Sequence, residues 1–118
     1  MYKLIILIET PGDQQEFDES WPLFLRQAEK MPGLVREATI RVVHSLYGNY
    51  DVSMIHELCF DSYDDLKLAM SSPQGQKSGN VLQNITEGRM TLLFAEHRED
   101  DLENIKQYRI EDPDAYTS

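Results

Sequence analysis

One stretch, residues 51–75, constrains the fold more than any other, because its apolar period changes from that of a strand to that of a helix. Side chains alternate over residues 51–60, which predicts a strand. Ser62, with Asp65 three residues later, has the spacing of a helix capping box. Ser72-Pro73 ends the helical pattern. Alternate residues of this strand share one face, which we expect to lie beneath the helices. They are Val52, Met54, His56, Leu58 and Phe60. The stretch predicts a strand followed directly by an amphipathic helix.

The rest of the chain adds three strands and one or two helices. The further strands are predicted at residues 2–8, 34–44 and 90–96. Helical spacing recurs over residues 17–30, and Pro22, which fits only a first turn, places the regular start near Ser20. Residues 76–85 predict a short, weaker helix, and Gly48-Asn49 predicts a hairpin turn. The order β-α-β-β-α-β is that of the ferredoxin-like split βαβ unit, an α+β fold with two helices on one face of a four-stranded antiparallel sheet.

Composition excludes several classes of partner. The 118 residues suit one domain, and 21 acidic against 11 basic residues give a net charge of -10. That charge disfavours nucleic acid and anionic membranes. The single cysteine excludes an intrachain disulfide, and no apolar run reaches the length of a signal sequence core or a membrane span. We therefore expect a cytoplasmic protein.

The chain divides at residue 96. Residues 1–96 form the predicted domain, and residues 97–118 form an acidic tail with seven acids and three bases. The tail also carries apolar side chains at Leu102, Ile105, Tyr108 and Ile110. We expect it to pack on the body or on a partner.

Apolar residues occupy both faces of the predicted sheet, although the helices cover only one. The residues in the opposite phase are Ile5, Leu7, Ile55, Cys59, Leu93 and Ala95. A second copy is the economical cover, since two-fold homodimers are the commonest assembly. The tail folding back is the alternative.

Five short motifs follow one another in order along the chain. They are F-D-x-x-W at 17–21, K-M-P-G-L at 30–34, E-L-C-F-D-S at 57–62, S-P-Q-G-Q at 72–76 and T-L-L-F at 91–94. Together they resemble the EthD-type family of the dimeric α/β-barrel superfamily over about residues 1–96. The resemblance implies two protomers whose sheets meet face to face, with a pocket between each sheet and its helices.

The resemblance also bears on activity. Members of the family are linked to breakdown of ethers and other xenobiotics, and relatives catalyse oxygenation, isomerisation or polyketide cyclisation without a metal. Many members carry a histidine in the first helix, where Phe24 stands in this chain. That acid/base role therefore does not transfer, and no cofactor is expected.

His56 is the candidate catalytic residue, because histidine titrates near neutrality and this one lies on the helix-facing strand face beside Met54. Trp21 and Phe24, three residues apart on the first helix, are candidates to roof an apolar pocket over it. The four residues are the predicted ligand-binding set. The alternatives are a core histidine with satisfied hydrogen bonds and a plain aromatic core. No two histidines have a metal-ligand spacing, so no metal site is expected.

Two residues of the opposite strand face have structural explanations. Glu57 would need a mate such as Arg36 or Arg41, since an unpaired buried carboxylate is costly. Cys59 has no flanking base, and we expect an inert buried thiol.

Two functional hypotheses remain. The first is an EthD-like homodimer that binds a small, mainly apolar organic molecule between sheet and helices, as a cofactor-free enzyme in catabolism of xenobiotics or polyketide-like compounds. The second is a non-catalytic homodimeric interaction protein whose acidic tail binds a basic partner. An enclosed cavity favours the first hypothesis.

Overall fold

A computed structural model describes residues 1–103 as one four-stranded sheet with three helices. The elements are β1 (Tyr2–Ile8), α1 (Gln14–Ala28), β2 (Leu34–Arg41), β3 (Met54–Phe60), α2 (Tyr63–Ser71), α3 (Pro73–Thr86) and β4 (Met90–Glu96). The strands lie in the order β2-β3-β1-β4, and every neighbouring pair is antiparallel. The predicted α+β, ferredoxin-like fold is confirmed, and the short, weaker helix predicted at residues 76–85 is the full helix α3. Within residues 1–103, no helix is long and apolar enough to cross a membrane.

The strand register separates the two faces of the sheet. Ile6 pairs with His56 on one side and with Leu92 on the other, so these residues share the face beneath the helices. Its buried strand residues are Leu4, Ile6, Ile8, Met54, His56, Leu58 and Phe60. Helix residues that complete this core include Phe17, Trp21, Phe24, Leu66 and Leu82. The predicted phase of the central strand is therefore confirmed.

We call the opposite side of the sheet the open face. The register assigns to it Lys3, Ile5, Leu7, Arg36, Ala38, Ile40, Ile55, Glu57, Cys59, Thr91, Leu93 and Ala95. Ile40 and Leu93 are 44% and 45% exposed. Apolar surface therefore occupies both faces, as the sequence predicted.

An ion pair lies in the open face. Lys3 Nζ is 2.8 Å from Glu57 Oε1, and the two side chains are only 8% and 16% exposed. The predicted mates are wrong: Arg41 pairs with Met54 in the register and so belongs to the helix-covered face, whereas Arg36 contacts Met1 Sδ. The strand register explains why Lys3 is the partner of Glu57. Lys3 pairs with Cys59, which lies two residues from Glu57 on the same face.

Helix α1 begins earlier than predicted. Asp13 is its N-cap, and the Glu16 N–H donates to Asp13 Oδ1 at 3.1 Å. The predicted start near Ser20 is wrong, because Pro22 lies inside the helix and not in its first turn. Pro22 lies on the exposed side of the helix.

Ser72 both ends α2 and begins α3. Its hydroxyl donates to Ala69 O at 2.6 Å and accepts from the Gly75 N–H at 3.0 Å. The two helices approach so closely that a Cβ on Gly75 would lie 2.0 Å from Ala69 O, so only glycine fits. Helix α3 is therefore a full helix and not the weak one predicted. The predicted Ser62 cap of α2 is confirmed, since Ser62 Oγ accepts from the Asp65 N–H at 3.0 Å.

The connection between β2 and β3 is long. Strand β2 ends at Arg41 and β3 begins at Met54, so the strands predicted at residues 34–44 and 51–60 are too long. The predicted hairpin turn at Gly48-Asn49 is also wrong, because twelve residues separate the two strands. We call residues 42–53 the β2–β3 arm. Residues 104–118, with the predicted packing of Ile105, Tyr108 and Ile110, lie outside the described residues, and the domain boundary after residue 96 stays a prediction.

Candidate ligand-binding site

A cavity of about 520 Å³ lies where β1 ends, between the first half of α1 and the end of α3. One part of its wall is apolar and consists of Ile8, Phe17, Leu23, Val81 and Ile85. The polar part consists of Glu9, Thr10, Asp13, Glu16, Ser20, Asn84, Thr86, Glu87 and Arg89. Pro11 and Gly12 complete the lining. The cavity thus combines five apolar side chains with nine polar or charged residues.

Hydrogen bonds join the two loops that form the rim. The Arg89 guanidinium donates to Thr10 O at 2.8 Å, and the Glu9 N–H donates to Arg89 O at 3.2 Å. Glu87 ends α3 in the left-handed conformation, with φ 56°. The β1–α1 loop and the α3–β4 corner are therefore tied together, which favours a cavity that exists before any ligand binds.

His56 lies in the core and has a hydrogen-bond partner on each ring nitrogen. It is 1% exposed; Thr39 Oγ1 is 2.9 Å from Nδ1, and Glu37 Oε2 is 3.1 Å from Nε2. Thr39 is its register partner on β2, and Glu37 is two residues along the same face. Because a carboxylate only accepts, we assign the proton of the neutral ring to Nε2, with the Thr39 hydroxyl donating to Nδ1.

Two aromatic rings of α1 pack edge-on against His56. The ring centroids of Trp21 and Phe24 lie 5.3 and 6.1 Å from that of His56, at interplanar angles of 87° and 81°. Met54, 2% exposed, shares the strand face with His56. The fold therefore brings the four predicted ligand-binding residues into one buried cluster.

This cluster adjoins the cavity without forming part of its wall. Phe17, which does line the cavity, stacks on Trp21 with centroids 5.5 Å apart. Direct contact of a ligand with Trp21, Phe24, Met54 or His56 stays a prediction. The sequence analysis did not identify the cavity residues of α3. Among the cavity residues of α1, Phe17 belongs to the F-D-x-x-W motif.

Burial lowers the pKa of His56, and this effect exceeds the opposing influence of the Glu37 hydrogen bond and charge and of the Glu57 charge. The folded state therefore binds the proton less readily than the unfolded state. The resulting stabilisation is complete above the unfolded pKa, near ~6.5, and is lost as the pH falls below that value.

We expect His56→Gln to flatten the pH dependence of stability. In the wild type, the free energy of unfolding should fall by up to ~1.4 kcal/mol per pH unit below pH ~6.5 because of this one group. Urea titrations between pH 7 and 5 measure the slope. His44→Gln, at an exposed position, is the matched control. Equal slopes in the wild type and His56→Gln would contradict the assignment.

The chain resembles known structures in its fold. No protein-family profile matches the chain. SnoaB, a cofactor-independent oxygenase from Streptomyces nogalater, is 15% identical with a TM-score of 0.61, covering 84% of this chain and 94% of SnoaB. A dimeric ferredoxin-like protein from Jannaschia sp. CCS1 is 14% identical with a TM-score of 0.61, covering 81% and 98%. At these identities the likeness shows the fold, which is ferredoxin-like.

Two relatives are more similar in sequence. An 11.0 kDa protein from the thcB-thcC intergenic region of Rhodococcus erythropolis is 29% identical over 98 residues, which cover 81% of this chain and 94% of that protein. An ethyl tert-butyl ether d (EthD) family protein from Bacillus halodurans is 31% identical with a TM-score of 0.77, covering 83% of this chain and 99% of that one. The chain belongs to the EthD family, as the five sequence motifs indicated.

Proposed function

We propose that the protein binds a small, mainly apolar organic molecule in the cavity between β1, α1 and α3. The cavity itself is the observation that supports this most directly. Its volume of about 520 Å³ falls within the roughly 300–1,000 Å³ usual for small-ligand pockets. Its lining supplies apolar side chains for the body of such a molecule and polar groups to orient it, the two kinds of contact found in such sites.

The wall and the rim suggest how the ligand is oriented. Phe17, Val81 and Ile85 would contact its apolar body. Arg89, held against Thr10 O, offers the rim a fixed donor for one polar atom of the ligand. This arrangement favours molecules with an apolar body and an ether, hydroxyl or carbonyl oxygen.

The names of the relatives agree with this substrate class. One is an ethyl tert-butyl ether d family protein, and another is a cofactor-independent oxygenase. We propose, on this basis, a role in catabolism of xenobiotic or polyketide-like compounds by cofactor-free chemistry, with His56 as the proton-transfer group. As a base, His56 would accept the proton at Nδ1, so the Thr39 hydroxyl would have to turn away from that nitrogen. The Phe17–Trp21 stack would also have to move for a ligand to reach the ring.

We also propose that the protein is a homodimer whose two open faces meet. Half-exposed apolar side chains such as Ile40 and Leu93 occupy this face. Similar folds from Jannaschia sp. and Thermobifida fusca are described as dimeric ferredoxin-like proteins. A two-fold contact of this kind would leave each cavity on the helix side of its own sheet.

Val81→Phe tests the cavity directly. A larger side chain on the wall should fill the space and weaken binding of ethyl tert-butyl ether or 1-naphthol by roughly tenfold, or ~1.4 kcal/mol. Isothermal titration calorimetry measures both ligands. Leu68→Phe, at a 64% exposed position on α2, is the matched control and should bind as the wild type does. Unchanged binding by Val81→Phe, or none by the wild type, would contradict the proposed site.

A further inference from the structure

The tip of the β2–β3 arm exposes large apolar side chains almost completely. Val43, Leu46 and Tyr47 are 96%, 93% and 97% exposed. All three lie within residues 43–47, so one short segment exposes three large apolar side chains. Such a cluster indicates a surface that another molecule covers.

Hydrogen bonds fix the base of the arm to the body. The Val42 N–H donates to Ser53 O at 3.0 Å, and the Ser53 N–H donates to Ile8 O at 2.8 Å. The Thr10 hydroxyl donates to Asp51 Oδ1 at 2.6 Å. The body therefore sets the direction in which the arm projects.

Both ends of the arm adjoin the open face. Ile40, which precedes the arm, is the last open-face residue of β2. On the other side of the arm, Tyr50 Oη is 3.1 Å from the hydroxyl of Thr91, an open-face residue of β4. The arm thus starts and ends at the rim of the open face, which is the surface that the second copy is proposed to cover.

We propose that the arm tip of each protomer, residues 43–47, packs on the body of the second copy. The inference rests on the homodimer proposed above, and continuity with its open face selects a second copy as the occupant. In a closed two-fold dimer each such contact occurs twice. Tyrosine is also enriched among residues that dominate interface energies.

Leu46→Asp and Tyr47→Ser test the arm. Each should raise the dissociation constant of the full-length dimer roughly tenfold, since loss of a large apolar side chain that packs in an interface has effects of this size. Sedimentation equilibrium measures the constant, and circular dichroism checks the fold. Leu68→Asp, an equally drastic change at an exposed position of α2, should leave the constant unchanged.

A photo-cross-linking amino acid at position 47 supplies a second readout, and a covalent link between two chains is expected. If the wild type is a dimer but the arm variants associate as tightly as the control, or position 47 links to no second chain, the arm proposal is overturned while the dimer stands. A monomeric wild type overturns the dimer and, with it, the arm.

Discussion

Ile55→Asp is expected to convert the protein from a dimer into a monomer. Ile55 lies in the open face, paired with Leu7 on one side and Ile40 on the other. In the proposed dimer it would be dry, and an unpaired carboxylate there would carry a penalty of several kcal/mol. The wild type should scatter light as about 27 kDa, twice the 13.7 kDa of one chain, and the variant as one chain.

Leu68→Asp introduces the same charge on the helix side and should leave the mass at the dimer value. A soluble, folded wild-type monomer at micromolar concentration would contradict the open-face dimer. So would an Ile55→Asp variant that stays dimeric.

Lys3→Met is expected to lower the free energy of unfolding by roughly 3–5 kcal/mol, because it leaves the Glu57 carboxylate without its partner in a largely buried place. Lys3 Nζ lies 2.8 Å from Glu57 Oε1 and both side chains are largely buried. Removing one partner of such a buried ion pair is strongly destabilising. Urea unfolding at a fixed protein concentration measures the change, since dimerisation makes stability concentration-dependent.

The double variant Lys3→Met/Glu57→Leu is the matched control. Replacing both charges by apolar groups of similar size should restore most of the lost stability, because replacement of a whole buried pair is often neutral. A loss below about 1 kcal/mol in Lys3→Met, the size of an exposed pair, would show that water reaches Glu57.

The sequence predicted those elements whose signals are local. Strands β1 and β4 have the predicted bounds, because each is an apolar run that lies next to turn residues. The alternation of β3 correctly placed His56, Leu58 and Phe60 beneath the helices. The resemblance to the EthD-type family rested on motif order and is confirmed.

The remaining features depend on contacts between distant residues. Helix α3 buries Ser78 and Thr86, whose hydroxyls donate to backbone oxygens four residues earlier, so its buried side carries no clean apolar period. The cavity wall combines residues from the end of β1, from α1 and from α3, which no short motif joins. The Glu57 partner followed from strand register, which the sequence alone did not specify.

The central claim, that a small apolar molecule binds at the end of β1 between α1 and α3, is tested most directly by NMR chemical-shift mapping with 1-naphthol. We expect saturable shifts in the amides of residues 8–10, Gly12 and residues 81–87, and smaller ones in the Trp21 indole through its stack on Phe17. Shifts confined to other parts of the chain, or none at saturating 1-naphthol, would contradict the claim.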